Sequence, residues 1–144
     1  GQQLSTRYLR ALKGLQVEPS PSVLPSANSL TKVFFQISDQ DLYTVSDRHL
    51  IGQGMTLCGA KNLFAHVPIS VPLANLESVL KGQPEIVFIT RLPGEPVSFW
   101  EGRWRKLLGS QVQIIPIDPN LISRPSLRML DGIEFMCSAI KSAS

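Results

Sequence analysis

Cysteine and histidine are the side chains in this sequence best suited to nucleophilic, redox or metal chemistry, and the chain has two of each. Cys58 and Cys137 lie far apart and neither belongs to a CxxC pair, so the spacing typical of redox and zinc motifs is missing. Two cysteines alone also cannot complete a tetrahedral metal site. His49 and His66 stand in no recognisable nucleophile motif. We therefore interpret His49, which lies on a predicted helix, as structural or solvated, and we predict no metal.

The two cysteines allow two interpretations. Each falls on the predicted buried stripe of a helix, where a free thiol packs as a small hydrophobic side chain. Alternatively, the cysteines form a disulfide between the first and last helices of the domain. Such a bond closes a loop of roughly 80 residues and requires an oxidising compartment. The residues alone leave both interpretations open.

The motifs of common enzyme classes are missing from the sequence. It contains no GxSxG, no P-loop and no HExxH. The segment GQGMTLCG resembles a dinucleotide signature, but it lies inside a predicted helix and follows no strand directly. We attribute Gly52 and Gly54 to close helix packing. We predict that the chain is not an enzyme and has no cofactor; a small α/β enzyme or redox protein is the alternative, which turnover or a reactive thiol at Cys58 would support.

Composition limits the class of protein further. The 144 residues are 43% hydrophobic, which suits one globular domain, and the longest apolar runs are strand-sized. We expect no membrane insertion. The net charge is +3, but the basic residues are scattered apart from the cluster of Arg103, Arg105 and Lys106. A scattered charge of this size is typical of a solvated surface, so we predict no nucleic-acid partner.

Strand-like and helix-like segments alternate along the chain. The predicted strands are KVFFQI, EIVFIT and VQIIPI. Four helices are predicted. Three of them begin at Ser46, Asn75 and Ser123, and the fourth is the segment FWEGRWRKLLG. This order predicts a mainly parallel α/β sheet with helices on both faces. Ligands of such sheets usually bind at loops that leave the carboxyl ends of the strands.

The chain opens within a helical pattern. Apolar residues recur at helical spacing through residues 2–13, and Gly14 is a plausible stop. A segment rich in proline and serine follows, so we assign residues 14–31 to a linker and 32–144 to the α/β domain. An opening inside a helix suggests a fragment of a longer precursor.

The stretch from Val33 to Phe64 resembles the periplasmic binding proteins of metal-chelate ABC importers, most of all the cobalamin-binding members. The resemblance rests on strand, loop and helix followed by a cysteine–glycine turn at Cys58 and the ending Asn62-Leu63-Phe64. It continues through LESVLKGQPEIVFIT and IIPIDPNLISRPSLRMLDGIEFMCSAI. It implies a Rossmann-like C-terminal lobe of a two-lobed protein whose lobes are joined by one long helix. Residues 1–13 are then the tail of that helix.

The resemblance also assigns roles to individual residues. It implies a disulfide between Cys58 and Cys137, and docking of Glu77 onto arginines of the importer permease. The ligand-binding residues that it implies are Tyr43, Ile69, Asn120, Leu121 and Arg124. Ile69 and Leu121 stand where the cobalamin-binding members carry tryptophans, so less stacking surface is present.

The expected function is capture of a cobalamin-like metal chelate in the periplasm and its delivery to the permease. The expected partners are the chelate, the permease and the N-terminal lobe of the same parent chain. Haem or a ferric siderophore is the alternative cargo within the family, and a module that acts only by protein docking is a further alternative.

Overall fold

The computed structural model describes residues 30–38, 40–122 and 126–143. A four-stranded parallel sheet forms the centre of the domain, with the strand order β2-β1-β3-β4. The strands are β1 (Thr31–Gln36), β2 (Ala60–Asn62), β3 (Ile86–Thr90) and β4 (Gln113–Ile117). The prediction of a parallel sheet is therefore confirmed. The predicted helix at residues 2–13 and almost all of the linker lie outside the described residues.

Helices cover both faces of the sheet. They are α1 (Leu50–Leu57), α2 (Leu76–Gly82), α3 (Phe99–Leu108) and α4 (Leu127–Ala143). Helices α1 and α4 share a mainly aliphatic core with Val33 and Phe35 of β1. Helices α2 and α3 share a second core with Phe34, which points to the opposite face because side chains alternate along a strand.

A disulfide fixes one of these two faces. Cys58, directly after α1, is bonded to Cys137 of α4, with their Cα atoms 5.4 Å apart. The bond links residues separated by 79 positions. In the chain-entropy account, closing a loop of this length contributes about 4.5 kcal/mol. The structure thus contains the disulfide that the resemblance implies.

Helix α1 begins later than the sequence predicts. Ser46 is not its N-cap, because the Ser46 hydroxyl donates to the Ile69 carbonyl at 2.7 Å and accepts from the Arg48 amide at 3.1 Å. The N-cap is His49, whose Nδ1 accepts a hydrogen bond from the Ile51 amide at 3.1 Å. Helical spacing predicts a buried stripe of Leu50, Gly54, Leu57 and Cys58, but the fully buried large side chains of α1 are Ile51 and Met55.

The two glycines of α1 are required for different reasons, because different groups occupy the space that a side chain would need. A Cβ at Gly54 would lie 2.8 Å from Cγ2 of Ile133, so the prediction of close helix packing is confirmed there. A Cβ at Gly52 would lie 2.1 Å from the Ser46 carbonyl oxygen. Gly52 therefore makes room for the preceding loop rather than for another helix.

Candidate functional site

All four strands run parallel, so their carboxyl ends meet at one edge of the sheet. Loops 37–49, 63–75, 91–98 and 118–122 leave this edge. Tyr43, Ile69, Asn120 and Leu121 all belong to these loops. The fold thus brings four of the five predicted ligand-binding residues to the same edge. Arg124 lies outside the described residues.

The loops after β1 and β2 lie against each other as an irregular antiparallel ribbon. Tyr43 pairs with Leu73, and backbone hydrogen bonds join Thr44 to Pro72 and Ser46 to Ser70, each at 3.0 Å. Thr44, Val45 and Ser46 of the first loop are buried, and so are Pro72 and Ala74 of the second. The backbone of the ribbon is therefore held by main-chain bonds and is anchored on the domain.

The other side of this ribbon exposes apolar side chains. Tyr43 is 41% exposed and Ile69 is 59% exposed, and Val71 and Leu73 are exposed with them. We call these four residues the apolar ribbon. Exposed apolar side chains that gather at the ligand-binding edge of an α/β sheet suit contact with the face of an apolar ligand.

Asn62, the last residue of β2, holds the ribbon through hydrogen bonds of its buried side chain. It is buried, and its amide nitrogen donates to the Val45 carbonyl at 2.8 Å while its amide oxygen accepts from the Phe64 amide at 3.1 Å. Strand β2 is not predicted from the sequence, because its three residues carry no periodic signal. The Asn62-Leu63-Phe64 ending of the resemblance was the available hint of a structural role at this position.

The loop after β3 forms a second feature of the same edge, and none of its residues is among the predicted site residues. We call residues 91–99 the arm. A cavity of about 650 Å³ lies between the arm, Ile37 and Ser38 after β1, and Pro119 after β4. The arm exposes Leu92, Val97 and Phe99, and Phe99 is 71% exposed. The signal that was available is the presence of large apolar residues in a proline-bearing loop at a strand's carboxyl end.

The arm is held by charged and capping interactions. Nε of Arg91 lies 3.4 Å from a carboxylate oxygen of Glu101, which is buried in the first turn of α3. The same carboxylate accepts from the Ser98 amide at 2.8 Å, and the Ser98 hydroxyl accepts from the Glu101 amide at 3.3 Å. This capping box joins the end of the arm to the start of α3.

The two predicted ligand-binding residues in the loop after β4, Asn120 and Leu121, differ in exposure. It forms a 3₁₀ turn, Pro119–Leu121, in which Asn120 is exposed and its backbone amide donates to the Asp118 carboxylate at 2.9 Å. Leu121 is half-buried and packs against the core shared by α1 and α4. The Asn120 side chain is free to meet a ligand, whereas Leu121 has a packing role as well.

Glu77 lies in the first turn of α2 and is exposed. Asn75 caps this helix, as predicted, by accepting from the Glu77 amide at 2.8 Å. A carboxylate in this position complements the positive end of the helix dipole. Its exposure leaves it accessible to another molecule.

The remaining chemistry of the described residues is sparse. They hold no group of three or more histidine, cysteine or acidic side chains arranged to bind a metal ion. Burial lowers the pKa of His49 below its ordinary value of 6.5, which agrees with a neutral imidazole that accepts at Nδ1. Within the ranges that the structure describes, no helix is long and apolar enough to span a bilayer.

Similarity to known proteins agrees with this geometry. The chain is 25% identical over 144 residues to the vitamin B12-binding protein of Vibrio cholerae, covering 99% of this chain and 50% of that protein. It is 32% identical over 113 residues to the vitamin B12-binding protein of Pectobacterium carotovorum, covering 78% of this chain and 40% of that protein. The chain thus spans about half the length of the curated relatives it matches. No family model matches the chain.

Solved structures show the same fold. The crystal structure of the periplasmic vitamin B12-binding protein of Vibrio cholerae superposes with a TM-score of 0.70 at 24% identity, covering 99% of this chain and 54% of that one. The periplasmic haem-binding protein of Roseiflexus superposes with a TM-score of 0.67 at 14% identity, covering 99% of this chain and 56% of that one. The chain is therefore homologous to vitamin B12-binding proteins over about half of their length, and it has the fold of one lobe of a periplasmic binding protein.

Proposed function

We propose that the chain is the C-terminal lobe of a periplasmic receptor that captures a cobalamin-like metal chelate and delivers it to an ABC importer. The observation that carries this proposal is the similarity to vitamin B12-binding proteins across 99% of the chain. The exposed apolar ribbon at the ligand-binding edge of the sheet supports it. Residues 1–13 are proposed as the tail of an interlobe helix, and residues 14–31 as the linker that follows it.

The proposed ligand site is half of a cleft. Tyr43 and Ile69 of the apolar ribbon contact the flat face of the chelate, and Asn120 with Arg124 bonds to its polar edge. Leu121 supports the wall from the core. The second lobe of the parent protein closes over the ligand, so the activity consists of binding and delivery rather than catalysis.

Haem or a ferric siderophore is the alternative cargo. The ribbon offers one tyrosine and aliphatic side chains, which contact any planar apolar chelate without the stacking area of tryptophan. The similarity in fold to a periplasmic haem-binding protein favours keeping this alternative. The disulfide fits an oxidising compartment, and on that ground we propose the periplasm as the location.

The cargo is tested by calorimetric titration of the intact parent protein with cobalamin, haem and a ferric siderophore. We expect cobalamin to bind most tightly, and we expect Tyr43→Ala to weaken binding about tenfold, equivalent to about 1.4 kcal/mol. Phe135→Ala is the matched control, since Phe135 is an exposed aromatic residue of α4 outside the loops of the site. Tighter binding of another chelate would transfer the assignment to that cargo, and binding of none would reject the receptor function.

Docking onto the permease is proposed for Glu77. Reversal of its charge by Glu77→Lys is expected to abolish stimulation of the importer's ATPase by the loaded receptor, while ligand affinity stays unchanged. Glu134→Lys provides the control, because Glu134 is an exposed glutamate of α4. Equal effects of both reversals would indicate a general electrostatic attraction instead of a docking contact.

A further inference from the structure

The 650 Å³ cavity behind the arm contains none of the ligand-binding residues that the resemblance implies. Its walls are the arm itself, the first residues after β1 and Pro119 after β4. A smaller cavity of about 250 Å³ adjoins it on the other side of the arm. Arg91, Leu92 and Glu95 line both cavities, so this part of the arm separates them.

Arg91 is the single cationic side chain among the residues that line the larger cavity. Its Nη1 donates to the Glu95 carbonyl at 3.2 Å, and its Nε faces Glu101 at 3.4 Å. Both partners lie on or beside the arm, and they fix the guanidinium plane. The other N–H groups, including both on Nη2, bond to no part of the protein that the structure describes.

This arrangement suits recognition of one anionic group. A guanidinium presents its N–H groups in a planar fork that matches two oxygens of a carboxylate or phosphate. Arg91 is 24% exposed, so a ligand in the cavity can reach the fork, and burial of the ligand would strengthen the bond. Glu95 also lines the cavity and is an exposed residue, and Arg91 donates to its backbone carbonyl rather than forming an ion pair with its carboxylate.

Apolar side chains surround this cationic group. Leu92, Val97 and Phe99 are large, exposed and part of the same cavity wall. Phe99 is further fixed by an edge contact with Trp100, at 5.9 Å between ring centroids. A wall with one cation and several apolar side chains fits a flat apolar ligand that carries an anionic substituent at its rim.

We propose that Arg91 binds a carboxylate or phosphate at the rim of the chelate, while Leu92, Val97 and Phe99 contact the adjoining apolar surface. The arm is then a specificity-determining element for the cargo. This inference rests on the proposed function, because it concerns the same ligand cleft.

The test compares chelates that differ in their anionic group. Haem is paired with haem dimethyl ester, whose carboxylates are blocked, and cobalamin is paired with cobinamide, which lacks the phosphodiester. Affinities are measured by calorimetry on the intact parent protein. Arg91→Gln is expected to weaken binding of the member that carries the anionic group at least tenfold in one pair, and to leave the affinity for the member without that group within about twofold. The pair that responds identifies the anionic group as carboxylate or phosphate.

Controls separate recognition from loss of structure. Arg91→Lys keeps the charge but loses the fork, so it should recover only part of the affinity for the anionic chelate. Arg128→Gln removes an exposed arginine of α4 and should change nothing. Equal loss of affinity for the members with and without the anionic group, or no loss, would overturn this proposal alone. Absence of binding of all four chelates and of the ferric siderophore by the unaltered protein would overturn the proposed function as well.

Discussion

The apolar ribbon and the arm occupy the same edge of the sheet, but different interactions hold them. Main-chain hydrogen bonds and the buried amide of Asn62 hold the ribbon. The arm depends on an ion pair and a capping box that share one carboxylate, that of Glu101. The ribbon is therefore held mainly by uncharged groups, with a longer contact of 3.5 Å from the Asn62 amide to the Asp47 carboxylate. In the arm, by contrast, the Glu101 carboxylate takes part in both the ion pair and the capping box.

The helices that follow these loops repeat the contrast. Helix α1, after the ribbon, is capped by an imidazole and is tied to α4 through the disulfide. Helix α3, after the arm, is capped by a serine and a carboxylate and is held by Trp104, which donates to Gln36 at 2.7 Å. One side of the edge is thus tied to the core through a disulfide, and the other carries the ion pair of Arg91 and Glu101.

Substitution of one glycine in α1 and one in α3 gives the largest expected difference in stability between the two sides. Gly52→Ala on the ribbon side should destabilise the domain by about 3 kcal/mol, because the new methyl group would overlap the Ser46 carbonyl. Gly102→Ala on the arm side should stabilise it by about 0.5 to 1 kcal/mol, since nothing lies within 4 Å of the added Cβ and alanine favours helix.

Urea unfolding of both variants measures this contrast. The unaltered chain and Gly102→Ala together serve as the reference for Gly52→Ala, because both substitutions add the same methyl group to a helix. Similar effects in the two helices would mean that Ser46 does not approach α1 as closely as the structure shows.

The sequence predicts the elements whose signal is local. Strand β3 is buried along its whole length, and such strands appear as continuous apolar runs. The N-cap at Asn75 and the disulfide also agree with prediction, although only the family resemblance predicts the disulfide. By contrast, β2 has three residues and depends on pairing with β1 for its identity. The roles proposed for Tyr43, Ile69, Asn120, Leu121, Arg124 and Glu77 stay predictions.

Features that depend on distant contacts were missed for a physical reason. Serine is a stronger N-cap than histidine, so the sequence favours Ser46 as the start of α1. The Ser46 hydroxyl is instead bonded to Ile69, which lies in another loop. The ion pair between Arg91 and Glu101 likewise spans a loop whose shape no local periodicity describes. Both misses fall at the candidate site, where loops from different strands meet.

The smallest expected effect is a difference in pH dependence: acid should weaken the cap of α1 but not the cap of α3. The His49 cap of α1 requires a neutral Nδ1, and burial lowers the pKa of His49 in the folded domain. Its contribution to stability is therefore complete above the ordinary value of 6.5 and is lost as the pH falls through the lower folded pKa. The capping box of α3 contains no imidazole, so the same mechanism leaves it unchanged.

Urea unfolding between about pH 5 and 7.5 tests this difference, with an expected loss of about 1 kcal/mol at the acidic end. His49→Asn is the matched variant, because asparagine caps well and does not titrate in this range. It should remove most of the dependence on pH and leave stability near pH 7.5 within about 0.5 kcal/mol of the unaltered chain. If the free energy of unfolding still depends on pH in His49→Asn, another group titrates. The caps of α1 and α3 would then not differ in their response to acid.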